Sequence, residues 1–562
     1  DGTERGAEIT VADSSNNHSG PDVIGLEDGT FFVIWEDNTF NELEGQLYNA
    51  ATGALIGSQI NVETADTPVN PELGTTTDGR ILVTYQTLTG GNDVQFEILD
   101  PRDATITADN GDGQVTGRLT GSTIIGSSTS ETLLGQGGND VIQYAQDFTG
   151  SSNVDTIDGG GGVNTFEITT LTAERIVDLN AGLFATGDIN STGSTRGTLA
   201  NIQNVIVRGA QDVRGSSGAN VLTAVGTFNN DFQGLGGVDK IDAGDGDDIF
   251  DGGDGDDILN GGLGTDAASY ATANGGVQAR LDIVGAQNTL SAGFDTLTGF
   301  ENLIGSIFND TLIGNASANT LRGGASADTL DGLGGGDQLF GEDGDDSFRA
   351  RAGADLFDGG IGTDAINYST ASSTVIFLDA SGVNAAAAAG DSYVSIENIV
   401  GSNTGTDIVT GDGAVNRLVG NGGNDTLNGR AGDDQLEGGE GNDRLIGGQG
   451  ADVLVSGNGT DTYVFNETLA LGGLDRTTDF THLVDKIEID ASQFGGGLVA
   501  GGAVTLISGS SPTSAGFNTG VFHYDTDDGF LYFDADGQGA GARVAFFRIQ
   551  NIPTLSSADF TV

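Results

Sequence analysis

Large apolar residues recur at every ninth position over three stretches of the chain, and glycine-rich segments separate each from the next. They are Ile241, Phe250 and Leu259; then Leu312, Leu321, Leu330, Leu339, Phe348, Phe357 and Ile366; then Val409, Leu418, Leu427, Leu436, Leu445, Leu454 and Tyr463. Short strands at so regular a spacing predict a parallel β-solenoid, in which each turn buries the apolar face of its neighbours.

An acidic or amide residue keeps the same spacing, two positions before each apolar residue. Written as G-G-x-G-x-D-x-U-x, with U a large apolar residue, the repeat places Asp or Asn at position 6 of eighteen turns. These residues are Asp239, Asp248, Asp257 and Asp266; Asp310, Asn319, Asp328, Asp337, Asp346, Asp355 and Asp364; and Asp407, Asn416, Asp425, Asp434, Asp443, Asp452 and Asp461. An earlier block, at about 117–166, is degenerate: Glu131, Asp140, Asp155 and Asn164 lie near position 6, with few full glycine sets. Terminal turns of solenoids are usually atypical, so we expect the degenerate turns to be caps or weak sites.

A longer repeat groups the turns into modules. The segment DTLTGFENLIGS at 295–306 recurs as DSYVSIENIVGS at 391–402, 96 residues later, and a fainter copy begins at Ala200. We therefore predict an all-β chain of tandem parallel β-roll modules with β-rich insertions, preceded by an N-terminal β-sandwich or blade-like domain. The predicted boundaries are 1–112 for the N-terminal domain, 113–214 for a degenerate module with its insertion, 215–304 and 305–401 for two blocks with insertions, 402–465 for a last block, and 466–562 for a C-terminal β cap.

The first 112 residues follow a different pattern. The segment DGTFFVIW at 28–35 recurs fifty residues later as DGRILVTY at 78–85, and each copy is a turn dipeptide leading into a β-branched and aromatic strand. This unit resembles the blade-like repeats found beside calcium repeats in large bacterial surface proteins. Two copies are too few to close a propeller, so we expect a sandwich or a fragment of a longer array.

The charge of the chain points to a bound cation. The sequence contains 81 Asp plus Glu and 20 Lys plus Arg, for a net charge of −61. Such a charge opposes compaction unless it is neutralised, and it disfavours nucleic acid and anionic lipid as partners. The 96 glycines follow a period, so they indicate structure rather than disorder.

Two further compositional features narrow the class of protein. The chain has no cysteine, which leaves no disulfide or thiolate metal site, and it has no run of about 18 apolar residues, so we expect no membrane span. It also has no methionine, even at position 1, from which we expect a chain that begins within a longer gene product or has been processed.

The residues of the repeat match the ligand preferences of Ca²⁺, which takes about six to eight oxygen ligands. Asp at position 6 supplies charge, and glycines at positions 1, 2 and 4 tolerate the positive φ that aims turn carbonyls inward, such as those of Gly253, Gly255, Gly439 and Gly441. Acidic residues at positions 3 and 5, such as Asp245, Asp254, Asp256 and Asp345, are interpreted as solvated charges.

Two nonapeptides make one eighteen-residue coil, so we predict an ion between position 6 of one turn and position 6 of the turn eighteen residues later. The ten pairs are Asp239 with Asp257, Asp248 with Asp266, Asp310 with Asp328, Asp328 with Asp346, Asp337 with Asp355, Asp346 with Asp364, Asp407 with Asp425, Asp425 with Asp443, Asp434 with Asp452, and Asp443 with Asp461. The pairs that use Asp310 and Asp407 are expected to be the weakest. Asp140, Asn319 and Asn416 are expected to form weaker sites, the last two because an amide lacks charge. The count predicts about eight to ten calcium ions or more.

The pattern resembles the RTX (repeats-in-toxin) family of calcium-binding β-rolls. The segment GGDGDDILN at 252–260 fits the family's motif completely, and the resemblance covers roughly residues 117–562. It implies a secreted calcium-binding β-roll and is nearly silent about biological role.

The C-terminal segment resembles that of serralysin-type proteins. After Asp461 the repeats stop, and the segments DRTTDF at 475–480, DKIEI at 485–489 and FLYFDADG at 530–537 follow. The chain ends with DFTV at 559–562, similar to the acidic and hydrophobic terminus recognised by type I secretion systems, against which stands an ordinary edge-strand terminus. The resemblance implies export by a Gram-negative bacterium to the cell surface or medium.

No catalytic motif accompanies this resemblance. The His-Glu-x-x-His motif of a zinc protease is absent, and the three histidines, His18, His482 and His523, lie in unrelated contexts. The sequence also lacks a Gly-x-Ser-x-Gly elbow and a phosphate-binding loop. We therefore predict that the protein is not an enzyme.

The leading hypothesis is a structural subunit of an S-layer or extracellular filament, which self-assembles as a homo-oligomer, lattice or filament outside the cell. The insertions near 167–208, 267–304 and 367–401 would carry the subunit contacts, whereas the apolar segment at 375–378 is assigned to module core. The alternative is the distal part of an adhesin or a carbohydrate-binding module, with cell-surface polysaccharide as a possible partner. The third hypothesis is an accessory part of a secreted hydrolase.

Overall fold

A computed structural model describes residues 18–25, 30–38, 42–49, 55–63, 68–75, 81–87, 94–99, 105–107, 114–116, 121–126, 131–135, 137–144, 155–169, 175–186, 195–209, 211–379, 382–469, 473–513, 517, 519–538 and 543–562. The regular secondary structure of these residues is almost entirely β-strand, in two compact units. Unit 1 comprises residues 1–268 and 292–300, and unit 2 comprises residues 269–291 and 301–562. The finer division into modules stays a prediction.

Unit 1 begins with two antiparallel sheets that repeat each other after fifty residues. Their strands are β1 (His18–Gly25), β2 (Thr30–Asp37), β3 (Glu42–Asn49), β4 (Leu55–Glu63), β5 (Pro68–Thr75), β6 (Ile81–Thr87) and β7 (Val94–Leu99). The first four form one sheet, and β5, β6 and β7 pair in order. The register shifts between Ser19 and Asp22 in the first copy and between Val69 and Glu72 in the second, so even the irregularity is repeated.

The two copies share one apolar core. Phe32, Ile34 and Leu43 of the first copy pack in the same cluster as Ile81 and Val83 of the second. The copies are also joined by a hydrogen bond from the Leu73 N–H to Oδ2 of Asp22, at 2.7 Å. The blade-like pattern read from the sequence is therefore a packed pair of sheets.

The rest of unit 1 is a roll of short strands. They are β8 (Thr105–Thr107), β9 (Gln114–Thr116), β10 (Thr123–Ile125), β11 (Thr132–Leu134), β12 (Val141–Tyr144), β13 (Asp155–Asp158), β14 (Thr165–Ile168), β15 (Arg175–Asp178), β16 (Leu183–Thr186), β17 (Thr195–Ala200), β18 (Asn204–Val207), β19 (Gln211–Arg214), β20 (Val221–Ala224), β21 (Asp231–Gln233), β22 (Lys240–Asp242), β23 (Ile249–Asp251), β24 (Ile258–Asn260), β25 (Ala267–Ser269) and β28 (Phe294–Thr298). Consecutive turns alternate between two parallel sheets: β18, β20, β22, β24 and β28 neighbour each other in one, and β19, β21, β23 and β25 in the other.

Unit 2 continues the same architecture. Its strands are β26 (Gln278–Arg280), β27 (Ala286–Asn288), β29 (Asn302–Ile304), β30 (Thr311–Ile313), β31 (Thr320–Ala325), β32 (Thr329–Asp331), β33 (Gln338–Asp343), β34 (Ser347–Arg349), β35 (Leu356–Ile361), β36 (Ala365–Asn367), β37 (Thr374–Phe377), β38 (Ala385–Ala386), β39 (Ser392–Val394), β40 (Asn398–Val400), β41 (Ile408–Thr410), β42 (Arg417–Gly422), β43 (Thr426–Ala431), β44 (Gln435–Glu440), β45 (Arg444–Gln449), β46 (Val453–Asn458), β47 (Thr462–Phe465), β48 (Asp475–Thr477), β49 (Lys486–Ile489), β50 (Leu506–Gly509), β51 (Val521–Asp525), β52 (Phe530–Asp534), β53 (Val544–Ile549) and β54 (Phe560–Thr561). One α-helix, α1 (Ala491–Phe494), and a 3-10 turn (Ser557–Asp559) lie among the last strands.

The strand register explains the buried core. Leu321 lies beside Leu339, and Leu427 beside Leu445, each eighteen residues along the chain. Every apolar residue at position 8 therefore stacks on another, and all of them are buried. Rings also meet across the roll, as where Phe348 of β34 and Phe357 of β35 lie 5.8 Å apart between centroids. The parallel β-roll predicted from the nine-residue apolar period is therefore confirmed.

The insertions return strands to the same sheets. Ile376 of β37 pairs with Val409 and is fully buried, which confirms the assignment of the 375–378 segment to module core. Leu297 of β28 likewise lies beside Leu259, although 38 residues separate them. The C-terminal segment extends the sheets further, since β48 pairs with β46 and β54 pairs with β49.

Among the residues that the structure describes, no helix has the length and apolarity required to cross a membrane.

Candidate metal centre

The aspartates at position 6 are linked into ladders by one side-chain oxygen. In all ten predicted pairs the backbone N–H of the first residue donates to Oδ1 of the second, over 2.7–2.9 Å. The structure therefore brings together every pair expected from an eighteen-residue coil. Calcium binding by these pairs stays a prediction.

The other oxygen of most of these carboxylates is buried and accepts no hydrogen bond. This holds for Oδ2 of Asp140, Asp239, Asp248, Asp257, Asp328, Asp346, Asp364, Asp425, Asp434, Asp443, Asp452 and Asp461. Glycine at position 1 makes room for it, because a Cβ at Gly341 would collide with Oδ2 of Asp346, and one at Gly420 with Oδ2 of Asp425. Burying an anionic oxygen without a partner is costly, so rows of such atoms fit a row of bound cations.

The turn glycines adopt the conformation expected of them. Gly253, Gly255, Gly439 and Gly441 have φ of 85°, 156°, 111° and 134°. The stack imposes this geometry, because position 2 keeps a φ of 68–75° even where it is not glycine, at Leu235, Leu333, Glu342, Asn421 and Arg430. Positions 2 and 4 lie against the carbonyl oxygens of the preceding coil: a Cβ at Gly441 would collide with the Gly423 oxygen.

These carbonyls are needed for a complete ligand set. Within the described ranges no group of three or more His, Asp or Glu side chains converges to hold a metal ion by itself. Each site would therefore combine two carboxylates with turn carbonyls, which is the all-oxygen set that Ca²⁺ prefers.

The pairs that use Asp310 and Asp407 differ from the others because their second oxygen is occupied. Oδ2 of Asp310 accepts a hydrogen bond from the Ser306 N–H. Oδ2 of Asp407 accepts from both the N–H and the hydroxyl of Ser402, at 2.7 and 2.9 Å. The protein itself satisfies these carboxylates, and that they form the weakest sites stays a prediction.

The two position-6 asparagines are also satisfied internally. The side-chain N–H of Asn319 donates to the Glu301 carbonyl at 2.8 Å, and that of Asn416 to the Glu397 carbonyl at 3.3 Å. The amide nitrogen thus provides a hydrogen bond where an aspartate would leave a bare oxygen, and neither turn requires a cation.

Burial makes the carboxylates whose Oδ2 accepts no hydrogen bond hard to ionise without a cation. Burial is the main cause, and together with neighbouring carboxylates it raises the pKa of Asp257, Asp328, Asp425 and Asp434 to about 7. For the same primary reason the pKa values of Asp239, Asp248, Asp337, Asp364 and Asp443 rise to about 6. A calcium ion would restore the charged form.

The sequence pattern missed four residues that extend the ladders. Asp295, Asp391, Asp475 and Asp485 accept the backbone N–H of Asp257, Asp355, Asp452 and Asp461 over 3.0–3.1 Å. They follow their partners by 38, 36, 23 and 24 residues, of which only the 36-residue spacing of Asp391 is a multiple of nine. The one local signal is an aspartate two positions before a strand residue, without the full glycine set: the position-4 glycine is kept only at Gly293 and Gly473.

Two carboxylates outside the regular repeats accept a hydrogen bond from a tyrosine hydroxyl. The Tyr368 hydroxyl donates to Oδ2 of Asp391 at 2.6 Å, and the Tyr144 hydroxyl donates to Oδ2 of Asp155 at 2.7 Å. At these two turns the hydroxyl donates to Oδ2, the carboxylate oxygen that accepts no hydrogen bond in most of the regular turns.

The interpretation of position 5 as a purely solvated charge is wrong for two of its residues. Asp256 accepts the N–H of Phe294 at 3.0 Å, and Asp345 accepts that of Thr363 at 2.9 Å. Position 5 therefore bonds forward along the stack, whereas position 6 bonds backward, and the two rows hold adjacent coils in register.

The C-terminal tetrapeptide forms an ordered edge. Asp559 accepts a hydrogen bond from the Leu483 N–H at 2.8 Å and lies 2.9 Å from Nδ1 of His482. Phe560 is buried, and its ring lies 5.3 Å from that of Phe522. A role of this segment in type I secretion stays a prediction.

Comparisons with known proteins address the repeats alone. The model of the RTX calcium-binding nonapeptide repeat (four copies) matches residues 124–143, 233–267, 304–339, 331–366, 402–436 and 428–463. A search of curated proteins found no match to the chain. The serralysin-like resemblance of the C-terminal region is not confirmed by these comparisons and stays a prediction. Because the matched repeats include those that build the carboxylate ladders, the chain contains the calcium-binding nonapeptide repeats of the RTX family.

Proposed function

We propose that this protein is a secreted structural subunit that folds and self-assembles outside the cell when calcium is present, as part of an S-layer or extracellular filament. The observation that carries the proposal is the row of buried Oδ2 atoms that accept no hydrogen bond. In the cytosol, where calcium is scarce, these carboxylates and the net charge of −61 would hold the repeats expanded. Outside the cell, the free energy of calcium binding becomes free energy of folding.

Exposed apolar side chains in the insertions support self-assembly. Val284 lies in the 267–304 insertion and is 103% exposed, and Val383 lies in the 367–401 insertion and is 83% exposed. Each insertion also anchors a strand in a sheet, so these side chains are held outward on a fixed scaffold. Contact with further copies of the chain would remove them from water.

Light scattering and negative-stain microscopy, in millimolar calcium and then in chelator, test the proposal. Ordered sheets or filaments that dissolve on chelation are expected. Val284→Asp and Val383→Asp should weaken assembly at unchanged calcium binding, whereas Val499→Asp, at a 68% exposed valine of the C-terminal segment, serves as the matched control. A folded monomer at high protein and calcium concentrations would contradict self-assembly.

The adhesin or carbohydrate-binding alternative is supported by one observation, the fifty-residue repeat of antiparallel sheets in unit 1. Binding of cell-surface polysaccharide by the calcium-loaded monomer would favour it. Our proposal includes no catalytic step, and an accessory role beside a secreted hydrolase ranks third.

A further inference from the structure

A histidine of the C-terminal segment is buried without a hydrogen-bonding partner in the part of the chain that the structure describes. His523 lies in the middle of β51, is 1% exposed, and has no hydrogen bond at Nδ1 or Nε2. All five residues of β51 are buried. Burial of a polar ring without partners is costly, and burial of the same ring with a positive charge costs far more. We therefore expect His523 to fit this strand only in its neutral form.

The residues paired with His523 give its ring no counter-charge. Its cross-strand neighbours are Ile507 of β50 and Tyr532 of β52. Strand β50 has no titratable residue, and the Tyr532 ring centroid lies 4.4 Å from the guanidinium carbon of Arg543. Nη1 of Arg543 also donates to the Pro512 carbonyl at 2.6 Å, which holds this positive charge close to the sheet. A second positive charge on His523 would be repelled.

Two aspartates of the same strands accept backbone N–H groups. Asp534, at the end of β52, attracts a charge on His523 electrostatically, but its Oδ1 accepts the Gly537 N–H at 3.1 Å. Asp525, two residues after His523, accepts the Asp527 N–H at 3.0 Å. Neither carboxylate forms a hydrogen bond with the ring. A protonated His523 would therefore have no hydrogen-bonded counter-ion in the folded sheet.

The surroundings of His523 disfavour its charged form. Burial is the main cause that lowers the pKa of His523, Arg543 acts in the same direction, and Asp534 acts against both. The Tyr524 hydroxyl is also buried without a partner, but burial, with a contribution from Asp528, raises its pKa to about 12, so it stays neutral. An opened strand thus binds a proton at His523 more readily than the folded strand. The stability of the strand falls as the pH drops below about 6.5, the ordinary pKa of histidine.

The opposite face of β51 covers a group of aromatic rings. Because successive side chains of a strand alternate between its faces, Phe522 lies on the face opposite His523. The Phe522 ring centroid lies 4.8 Å from that of Phe533 and 5.3 Å from that of Phe560 in β54. The phenylalanine cluster, as we name it, consists of Phe494, Phe522, Phe533, Phe546 and Phe560. Opening of β51 would uncover these rings.

We propose that His523 makes the C-terminal β cap sensitive to acid: uptake of a proton by its ring opens β51 and uncovers the phenylalanine cluster, while the calcium-loaded roll stays folded. The proton comes from water and adds to a ring nitrogen, and no other bond changes. The charged ring reaches water only when the strand leaves its neighbours, because the folded sheet offers it no acceptor. The inference goes beyond the proposed function and does not depend on self-assembly.

Hydrogen exchange of the full chain in saturating calcium, at pH 7.5 and pH 5.0, tests this. Protection of residues 521–534, corrected for the intrinsic pH dependence of exchange, should fall by up to about thirtyfold between the two pH values. His523→Phe removes the titrating ring and keeps an aromatic side chain, so protection should no longer depend on pH in this range. His482→Gln, at a partly exposed histidine that lies 2.9 Å from Asp559, is the matched control and should keep the acid response.

A measurement on the unaltered chain protects the test against misfolding of His523→Phe. Exchange of the ring C2 hydrogen, followed by mass spectrometry, reports the titration of each histidine, and His523 should titrate below about 6.5. A midpoint at or above that value, or an equal loss of protection in His523→Phe, would overturn the inference and leave the proposed function standing. Protection of β51 that does not change with pH in the unaltered chain would overturn it as well.

Discussion

The N–H of Asp425 donates to Oδ1 of Asp443 at 2.8 Å, while Oδ2 of Asp443 is buried and accepts no hydrogen bond. One carboxylate thus serves two purposes: one oxygen joins consecutive coils, and the other is left for a cation. Because the same relationship recurs along both units, we expect the stability of the fold and the binding of calcium to depend on the same side chains.

We call a carboxylate open when its Oδ2 accepts no hydrogen bond and closed when the protein donates a hydrogen bond to that oxygen. Variants at open and closed carboxylates are expected to differ in the number of calcium ions that they bind. Asp443→Asn should lose at least one ion, because the amide replaces a charged, open oxygen with a hydrogen-bond donor. Asp407→Asn should lose none, because Ser402 already satisfies that oxygen. Native mass spectrometry of the two variants at equal calcium distinguishes them. Equal losses would contradict the division into open and closed sites.

Much of this division follows from the sequence. The nine-residue period predicted that Asp425 lies opposite Asp443, and the sites that use Asp310 and Asp407 were expected to be the weakest. The period could not predict the positions of Asp475 and Asp485. These residues follow their hydrogen-bonding partners by 23 and 24 residues, which are not multiples of nine, and only the folded chain brings them into register. The hydrogen bond from Tyr368 to Asp391 could likewise not be predicted from the sequence, since the acceptor of a buried hydroxyl depends on packing between distant strands.

Gly441, at position 4 of a tightly stacked turn, should be hard to replace. Gly441 has φ of 134°, and a Cβ there would collide with the Gly423 carbonyl, so Gly441→Ala should destabilise the calcium-loaded protein by more than about 1 kcal/mol. Gly334 is the control, since its nearest neighbour to a Cβ is the Ala352 oxygen at 3.8 Å. Thermal unfolding in saturating calcium measures both. A Tm for Gly441→Ala equal to that of Gly334→Ala would contradict the close stacking of turns.

Loss of a tyrosine hydroxyl should destabilise a turn without removing a native ion. Tyr368→Phe leaves Oδ2 of Asp391 without its 2.6 Å donor, at an expected cost of about 1–3 kcal/mol in free energy of unfolding. Asp391→Asn in the same chain should recover part of this loss. Tyr532→Phe, at a half-buried ring that stacks under Arg543, is the control for ring chemistry. Denaturant unfolding in saturating calcium is the measurement, and a neutral Tyr368→Phe would count against the hydroxyl's role.

Acid should partly replace calcium. The pKa values of Asp257, Asp328 and Asp425 are raised to about 7 in the fold, above the ordinary value of about 4 for an unfolded chain. The metal-free fold therefore binds more protons than the unfolded chain, and its stability falls as the pH rises from about 4 to about 7. Circular dichroism in excess chelator should show more β-structure at pH 4 than at pH 8.

Protons and calcium should compete for the same oxygens. Apparent calcium affinity is expected to fall as the pH drops below about 7, the raised pKa of Asp434. Calcium titrations by calorimetry at pH 8 and pH 5.5 measure this. An affinity independent of pH over that range would show that the buried carboxylates are not the ligands.

The central claim is that the carboxylate ladders bind calcium and fold only with it. Its most direct test is titration of the chelated chain with calcium, following bound ions by native mass spectrometry and β-structure by circular dichroism, with magnesium as the control ion. We expect about eight to ten ions to bind together with a cooperative gain of β-structure, and magnesium not to substitute. Two or fewer ions, or full β-structure in excess chelator at neutral pH, would contradict it.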